Sequence, residues 1–302
     1  RDGDFRNKVF HPIFGADSKE DEILLQKNKT SMHRLCKILN IGISITALVW
    51  PASHFARRYQ DKNAVVPLYV PFDTDTWYTI SVLVEVIPII WIGYGHLALD
   101  CVMSTYYAQA EVQLKIIKHN LEHLFDADGD GLNESRIRFQ YRDELDEKFK
   151  KRFVYYVQRF GKLAWYTQEL DKVFGPAIFF QFFTSSLTIC MVTYKLSSTP
   201  VATVPFLFMI LVMIILSAQV FLYCYVVNLV HYESQSVVYS LYLSDWLSVS
   251  PKFRRLLLIA MLRWSRNLTP TVSGIVPLSL NTFVSILRSA YSMYAVLGTG
   301  RS

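Results

Sequence analysis

The chain lacks the marks of a catalyst. It holds no glycine-rich phosphate loop, no G-x-S-x-G elbow and no paired-cysteine zinc pattern. Neither P-loop phosphoryl transfer, nor α/β-hydrolase chemistry, nor a zinc finger has a carrier here. No other catalytic constellation stands in their place, so we expect no enzyme and no cofactor. Cysteine is scarce as well. Cys36, Cys101, Cys190 and Cys224 all lie in or beside apolar segments, which predicts free thiols and no disulfide framework. A secretory signal is also missing, because the opening RDGDFRNKVFHPIFGADSKEDE is charged and has no apolar core. The first residue is not Met, so we read the chain as an N-terminally incomplete copy of something longer.

What is present is apolar. Of 302 residues, 52% are hydrophobic and 15% aromatic, and mean hydropathy is positive. The apolar residues come in blocks, which predicts an all-α, polytopic membrane protein. Five stretches approach the roughly 20 residues a helix needs to cross a bilayer: about 35–52, 77–103, 172–194, 201–230 and 271–298. The first is short and interrupted by Lys37 and Asn40, and the second contains Glu85, Pro88 and His96. A sixth apolar piece, 256–262, is too short to span and reads as a cytosolic or interfacial helix.

The net charge of +6 would suit nucleic acid, but its distribution suits a membrane. With the N-terminus placed in the cytosol, the inner pieces 1–37, 104–172 and 229–270 hold 25 of the 31 lysines and arginines, and the outer pieces hold 5. The positive-inside rule then predicts a cytosolic N-terminus and an extracellular C-terminus, the reverse of a G-protein-coupled receptor. The expected organisation is a cytosolic segment 1–34, two spans within 35–103 joined by an outer loop 53–76, a cytosolic helical extension 104–171, two spans within 172–230, cytosolic helices 231–270, and a last span with an outer tail in 271–302. Leu114, Ile117, Leu121 and Leu124, and then Phe149, Phe153, Tyr156, Phe160 and Leu163, recur at helical spacing. They predict that the inner segments pack as a helical anchor.

Several polar groups invite chemistry. Asp126, Asp128, Asp130 and Gly131 resemble the start of a calcium loop, yet Ile137 stands where the bidentate glutamate belongs, so a helix terminator is expected. His231, Glu233 and Cys224 have no metal-ligand spacing, and a hydrogen-bonded role is expected. His96 and Asp100 suggest a local i,i+4 ion pair. Glu85 lies within a span, where a carboxylate must stay protonated, bond locally or help line a site. Asn28, Asn133 and Asn267 head glycosylation sequons that this topology leaves in the cytosol. In the predicted outer half, Ile43, Thr46 and Trp50 share one helix face, Leu83 and Ile87 another, and Phe206, Met209 and Met213 a third. Together they are the candidate lining of an apolar pocket. The last stretch, PLSLNTFVSILRSAYSMYAVL, carries a polar stripe of Thr282, Ser285, Ser289 and Ser292 that continues to Val296 and Thr299. A polar face on so apolar a helix is packed on protein or lines water. Arg288 lies beside this stripe and suits a neighbouring helix better than a cation path.

That stretch resembles the C-terminal signature of insect odorant receptors. LEHLFD, QELDKVFGPAIFFQFFTSSLTIC, VPFDTDTWY and ESQSVVYSLYLSDW are similar to the same family in order and spacing, over about residues 30–298. The resemblance implies seven spans, of which the last five are visible, and an odorant-gated, non-selective cation channel in the plasma membrane of olfactory sensory neurons. It implies a hetero-tetramer with a shared co-receptor subunit, a small volatile odorant as ligand, monovalent and divalent cations as permeant ions, the lipid bilayer as surroundings, and no nucleic acid. The ending YAVLGTGRS resembles a tuning subunit. By motif position Val296 matches the hydrophobic gate, Thr299 a polar position outside it, and Thr46 and Trp50 pocket positions. The chain departs from the family's usual pattern at 231–233, HYE, and at 245–247, DWL. The alternatives are a membrane transporter or carrier subunit, hinted at by Glu85 and Pro88, and a non-conducting chemoreceptor-like scaffold.

Overall fold

The computed structural model describes residues 14–60, 76–125, 141–197, 199–200, 203–244, 246–247, 249–266 and 268, and a few positions between 271 and 292. Four long helices dominate: α1 (Lys19–Gln60), α2 (Tyr78–Glu122), α3 (Tyr141–Ser197) and α4 (Val204–Leu243). They have 42, 45, 57 and 40 residues, or about 60 to 85 Å each at 1.5 Å per residue. All four are long and apolar enough to cross a membrane, and each is roughly twice what crossing requires. The expected spans at about 35–52, 77–103, 172–194 and 201–230 therefore fall, to within three residues, in helices that run well beyond at least one end of each. Lys37 and Asn40 do not interrupt α1.

A short helix α5 (Pro251–Trp264) follows, and then a two-residue hairpin pairs Thr271–Val272 with Val276–Pro277. The hairpin corrects the predicted start of the last span at 271. Backbone engaged in an extended ladder cannot also be helical, and the described helical positions begin at Asn281. Two-residue strands do not alter the all-α class.

The chain divides into two compact units, and each of α1–α4 contributes one stretch to either unit. The first unit comprises residues 1–29, 106–176 and 226–278. It has an ordinary aromatic and aliphatic core. Leu114, Ile117 and Leu121 of α2 and Leu124 just after it are fully buried, as the periodicity predicts, and Phe149, Phe153, Tyr156, Phe160 and Leu163 of α3 are buried with them. Rings of Phe149, Phe125, Phe253, Phe153, Trp264 and Phe160 follow one another at 5.3 to 6.2 Å, a spacing that favours edge-on aromatic pairs. Helix α5 closes this core with Phe253, Leu257, Ala260 and Trp264, four residues at spacings of 4, 3 and 4. Its start has a local cause. Ser250 Oγ accepts the Phe253 N–H at 3.4 Å, and Pro251 occupies the first turn, where its missing N–H costs nothing. Ser250→Ala is expected to lower the stability of the purified protein by about 1 kcal/mol, read as a shift in its thermal melt. An unchanged melt would show the cap to be idle.

Polar pairs join distant parts of this unit. Arg159, fully buried, donates to Asp17 at 2.5 Å, to the Gly15 carbonyl at 2.8 Å and to Gln113 at 2.8 and 3.2 Å. Lys118 pairs with Glu233 at 2.8 Å, and Ser240 donates to Glu122 at 2.6 Å. Tyr107 donates to Asp171 at 2.9 Å. Burial, and then the Asp171 carboxylate, pushes that phenol up, so it remains a donor.

The second unit comprises residues 30–105, 177–225 and 279–302. It turns much of its apolar surface outward. Leu48, Trp91, Phe180, Phe183 and Met191 are all exposed, Trp91 at 81%. Such a surface is costly in water and ordinary in lipid. The chain is a membrane protein. Prolines inside the helices, Pro51, Pro88 and Pro176, fit that setting, where neighbouring groups take up the backbone carbonyls they free.

Candidate ligand-binding site

Within the second unit, α1, α2 and α4 enclose an apolar cavity of about 210 Å³. From α1 come Ile43, Thr46, Ala47 and Trp50; from α2, Ile89, Ile90, Gly93 and His96; from α4, Phe208, Val212, Ile215, Leu216 and Gln219. The spacings of 3 and 4 on each helix present one face of each to the cavity. Trp50 and Phe208 meet with ring centroids 5.3 Å apart. Trp50 also packs on the buried pair Val82 and Val86. Gly93 keeps its stretch of wall open, since a Cβ built there meets nothing within 4 Å. A cavity of roughly 150 Å³ holds a benzene ring, so this one suits a small organic molecule.

The structure brings together Ile43, Thr46 and Trp50 of the sequence-based candidates. It does not place the others in the lining. Leu83 and Ile87 are 47% and 60% exposed, on a face of α2 rotated about one residue from Ile90 and Gly93. Phe206, Met209 and Met213 are half-buried, and Met213 Sδ accepts from the Thr193 hydroxyl at 3.6 Å. The cavity face of α4 is instead 208, 212, 215, 216 and 219. Sequence reasoning missed Gln219, although an amide within the most apolar helix was a visible signal.

Buried polar groups sit at the cavity's margins. Trp50 Nε1 donates to His54 Nε2 at 2.9 Å, while Glu85 Oε1 lies 3.7 Å from the same nitrogen. One nitrogen cannot accept from the indole and also carry a proton towards the carboxylate. The shorter contact decides, and His54 is neutral. Glu85 is not among the lining residues, and its Oε1 lies beside that imidazole. Asp100 does not form the expected pair with His96. Tyr223 donates to Asp100 Oδ1, and the Gln219 side chain lies beside the same carboxyl group. Tertiary contact has replaced the local pair, because Asp100 points into the bundle, at 1% exposure, and His96 into the cavity.

The remaining motifs resolve simply. His231 uses both ring nitrogens, with the Leu268 carbonyl at 3.2 Å and Gln235 at 2.8 Å. Glu233 pairs with Lys118. No metal-holding cluster occurs among the described residues, and all four cysteines are free. The Asn28 amide nitrogen is engaged with the Ala108 carbonyl at 3.2 Å. In the last stretch Ser285, Ser289 and Ser292 are helical and exposed, as is Arg288, and Ser289 Oγ donates to the Ser285 carbonyl at 2.9 Å. Thr282, Val296 and Thr299, the calcium-like motif at 126–137, Asn133 and Asn267 lie outside the described residues.

Long apolar helices around a small, mostly apolar cavity define a polytopic membrane protein of the receptor type, with no catalytic machinery among the described residues. Known proteins narrow this. A family model described as "7tm Odorant receptor" matches residues 10–291, and the chain belongs to that family. Odorant receptor 22a of Drosophila melanogaster is 23% identical over 290 residues, covering 93% of this chain and 68% of that protein. Odorant receptor 19a of the same fly is 32% identical over 130 residues, covering 43% of this chain and 34% of that protein. The chain thus spans only about a third of the length of that relative. Olfactory receptor OR5 of Machilis hrabei, solved in complex with eugenol, superposes with a TM-score of 0.79 at 16% identity, covering 98% of this chain and 74% of that one. The same receptor without that ligand gives 0.76 at 17% identity. The fold is that of the insect olfactory receptors, and the family is one of receptors, not of enzymes.

Proposed function

We propose that this chain is the odorant-tuning subunit of an odorant-gated, non-selective cation channel. Its small volatile ligand binds in the cavity between α1, α2 and α4, and a central pore lined by the last span opens in response. The observation that carries the proposal is the cavity itself, apolar, ligand-sized and set among membrane helices. Burying a six-carbon chain contributes about 5 kcal/mol at about 0.8 kcal/mol per CH₂. Only the part of that energy which differs between closed and open states gates the channel, and about 1.4 kcal/mol of difference shifts the equilibrium tenfold. The family relationship and the likeness to a receptor solved with eugenol support a bound small molecule.

The first unit is the cytosolic anchor, and the partner is a co-receptor subunit in a hetero-tetramer. Tyr239, Tyr242, Leu258, Ile259 and Leu262 are exposed on α4 and α5 and form the apolar face on which a neighbouring subunit packs. The N-terminus is cytosolic, the cavity lies in the outer half, and the setting is the plasma membrane of olfactory sensory neurons. Ser285, Ser289 and Ser292 face the pore, and Val296 and Thr299 form its gate and outer polar ring.

The deciding experiment expresses the full-length receptor containing this chain with the co-receptor and applies an odorant panel under voltage clamp. Currents whose odorant profile follows this subunit are expected. A profile indifferent to its presence would overturn the proposal. Val296→Ala is expected to raise resting leak or alter gating, because a hydrophobic constriction closes by excluding water. Unaltered leak, conductance and gating would remove Val296 from the gate.

A further inference from the structure

The cavity has two unlike ends. Trp50 and Phe208 close one of them with aromatic rings. Gln219 and His96 stand at the other, towards the α2–α4 contact where Asp100 meets Tyr223. Four lining side chains besides the apolar ones carry polar atoms, and two of these are already engaged. Thr46 Oγ1 donates to the Gly42 and Ile43 carbonyls of its own helix at 3.2 and 2.8 Å, and Trp50 Nε1 donates to His54. A ligand therefore meets uncommitted donors at the Gln219 end alone.

Gln219 is 5% exposed and its side chain lies beside the Asp100 carboxyl group. Asp100 is itself 1% exposed, takes the Tyr223 hydroxyl on Oδ1, and leaves Oδ2 buried without a partner among the described residues. Whichever of its groups turns to Asp100, the amide keeps an N–H and a carbonyl lone pair for the cavity. An amide pinned in this way presents an acceptor and a donor side by side in an apolar chamber. A hydroxyl group is the smallest uncharged group that satisfies both. An ether or ester oxygen satisfies only the N–H, a hydrocarbon satisfies neither, and an ammonium or carboxylate must lose its hydration to enter.

We infer that the cavity is tuned to small alcohols, bound with the hydroxyl against Gln219 and the hydrocarbon body between Ile43, Ile90, Val212 and Ile215. Asp100 and Tyr223 are positioning residues that hold the amide. The inference rests on the reading of the cavity as the ligand site and specifies the chemistry that this site selects.

The test uses the full-length receptor with its channel partner and three probes of equal heavy-atom number: 1-hexanol, methyl pentyl ether and heptane. Hexanol is expected to act at a half-maximal concentration about tenfold below that of the ether, the worth of one neutral hydrogen bond in a partly closed site, with heptane weaker still. Gln219→Met, similar in shape but without the amide, is expected to bring hexanol to the level of the ether. Its response to heptane, which makes no hydrogen bond, should stay within about twofold, which reports a folded receptor. Equal potency of hexanol and ether in the wild type, silence toward hexanol, or an unchanged ratio in Gln219→Met overturns the inference. If Gln219→Met is silent to all three probes, the wild-type ratio decides. Gly93→Phe separates the two levels of the argument. If filling the cavity silences every probe while the wild-type ratio is flat, the cavity stands and the hydroxyl preference falls. If it changes no response, the cavity reading falls as well.

Discussion

Gly93→Phe abolishes the response to ligands of the cavity, raising the half-maximal concentration at least about 100-fold, while the protein still reaches the membrane. Gly93 lies in the middle of α2 and lines the cavity, and a Cβ at this position meets nothing within 4 Å. The backbone there is helical, so a side chain introduces no strain and projects into free space. A benzyl group takes up much of about 210 Å³ and leaves too little room for a second ring or a six-carbon chain. Gly93→Ala is the matched control. It adds one methyl to the same empty space and removes a flexible glycine from a helix, worth about 1 kcal/mol in the helix's favour, so near-normal sensitivity is expected. Dose–response currents for both variants, with surface labelling, make the measurement. A Gly93→Phe receptor that keeps its sensitivity would place the ligand elsewhere.

Arg159→Ala carries the second large effect, and it acts on stability. The guanidinium is fully buried and donates to Asp17, the Gly15 carbonyl and Gln113, residues more than 40 positions away in sequence. Removing it leaves Gln113, itself 1% exposed, and part of the Asp17 carboxylate without a donor. Asp17 is itself 36% exposed, so the cost is chiefly that of buried acceptors left without a donor, on the order of 1–3 kcal/mol. Arg159→Lys is expected to recover little, because one ammonium cannot reproduce three N–H groups held in a plane. The expected readouts are a large fall in the melting temperature of the purified receptor and in its surface level. A melting temperature within a degree or so of the wild type would show that the pair contributes nothing.

Much of the anchor-like core was legible along the chain. Leu114, Ile117, Leu121 and Leu124 repeat at 3 and 4 between charged residues, and such a stripe has one side to bury. The four spans within α1–α4 were legible from their apolar length, although their ends were not. Lys37 and Asn40 interrupt the first apolar run, yet α1 continues through them, since a helix leaving the membrane passes from apolar to polar surroundings without changing its backbone. The cavity was legible on α1 only. On that helix Thr46 and Trp50 interrupt an aliphatic run and mark a face. On α2 and α4 the runs around Ile87 and Met209 are apolar on all sides, and nothing in them separates the side that meets protein from the side that meets lipid.

That difference divides what this sequence determined from what the tertiary structure decided. Apolar length and motif order were enough to establish helices, spans and family, because each depends on residues close together or on their order. Which face of α2 and α4 lines the cavity was decided only by packing, since lipid and protein interior are equally apolar and leave no amphipathic trace. The same holds for the partners of buried polar groups. Asp100 sits four residues from His96, but it bonds Tyr223, more than 100 positions away. A buried carboxyl group takes the donor that the fold brings to it, and only the fold shows which donor that is.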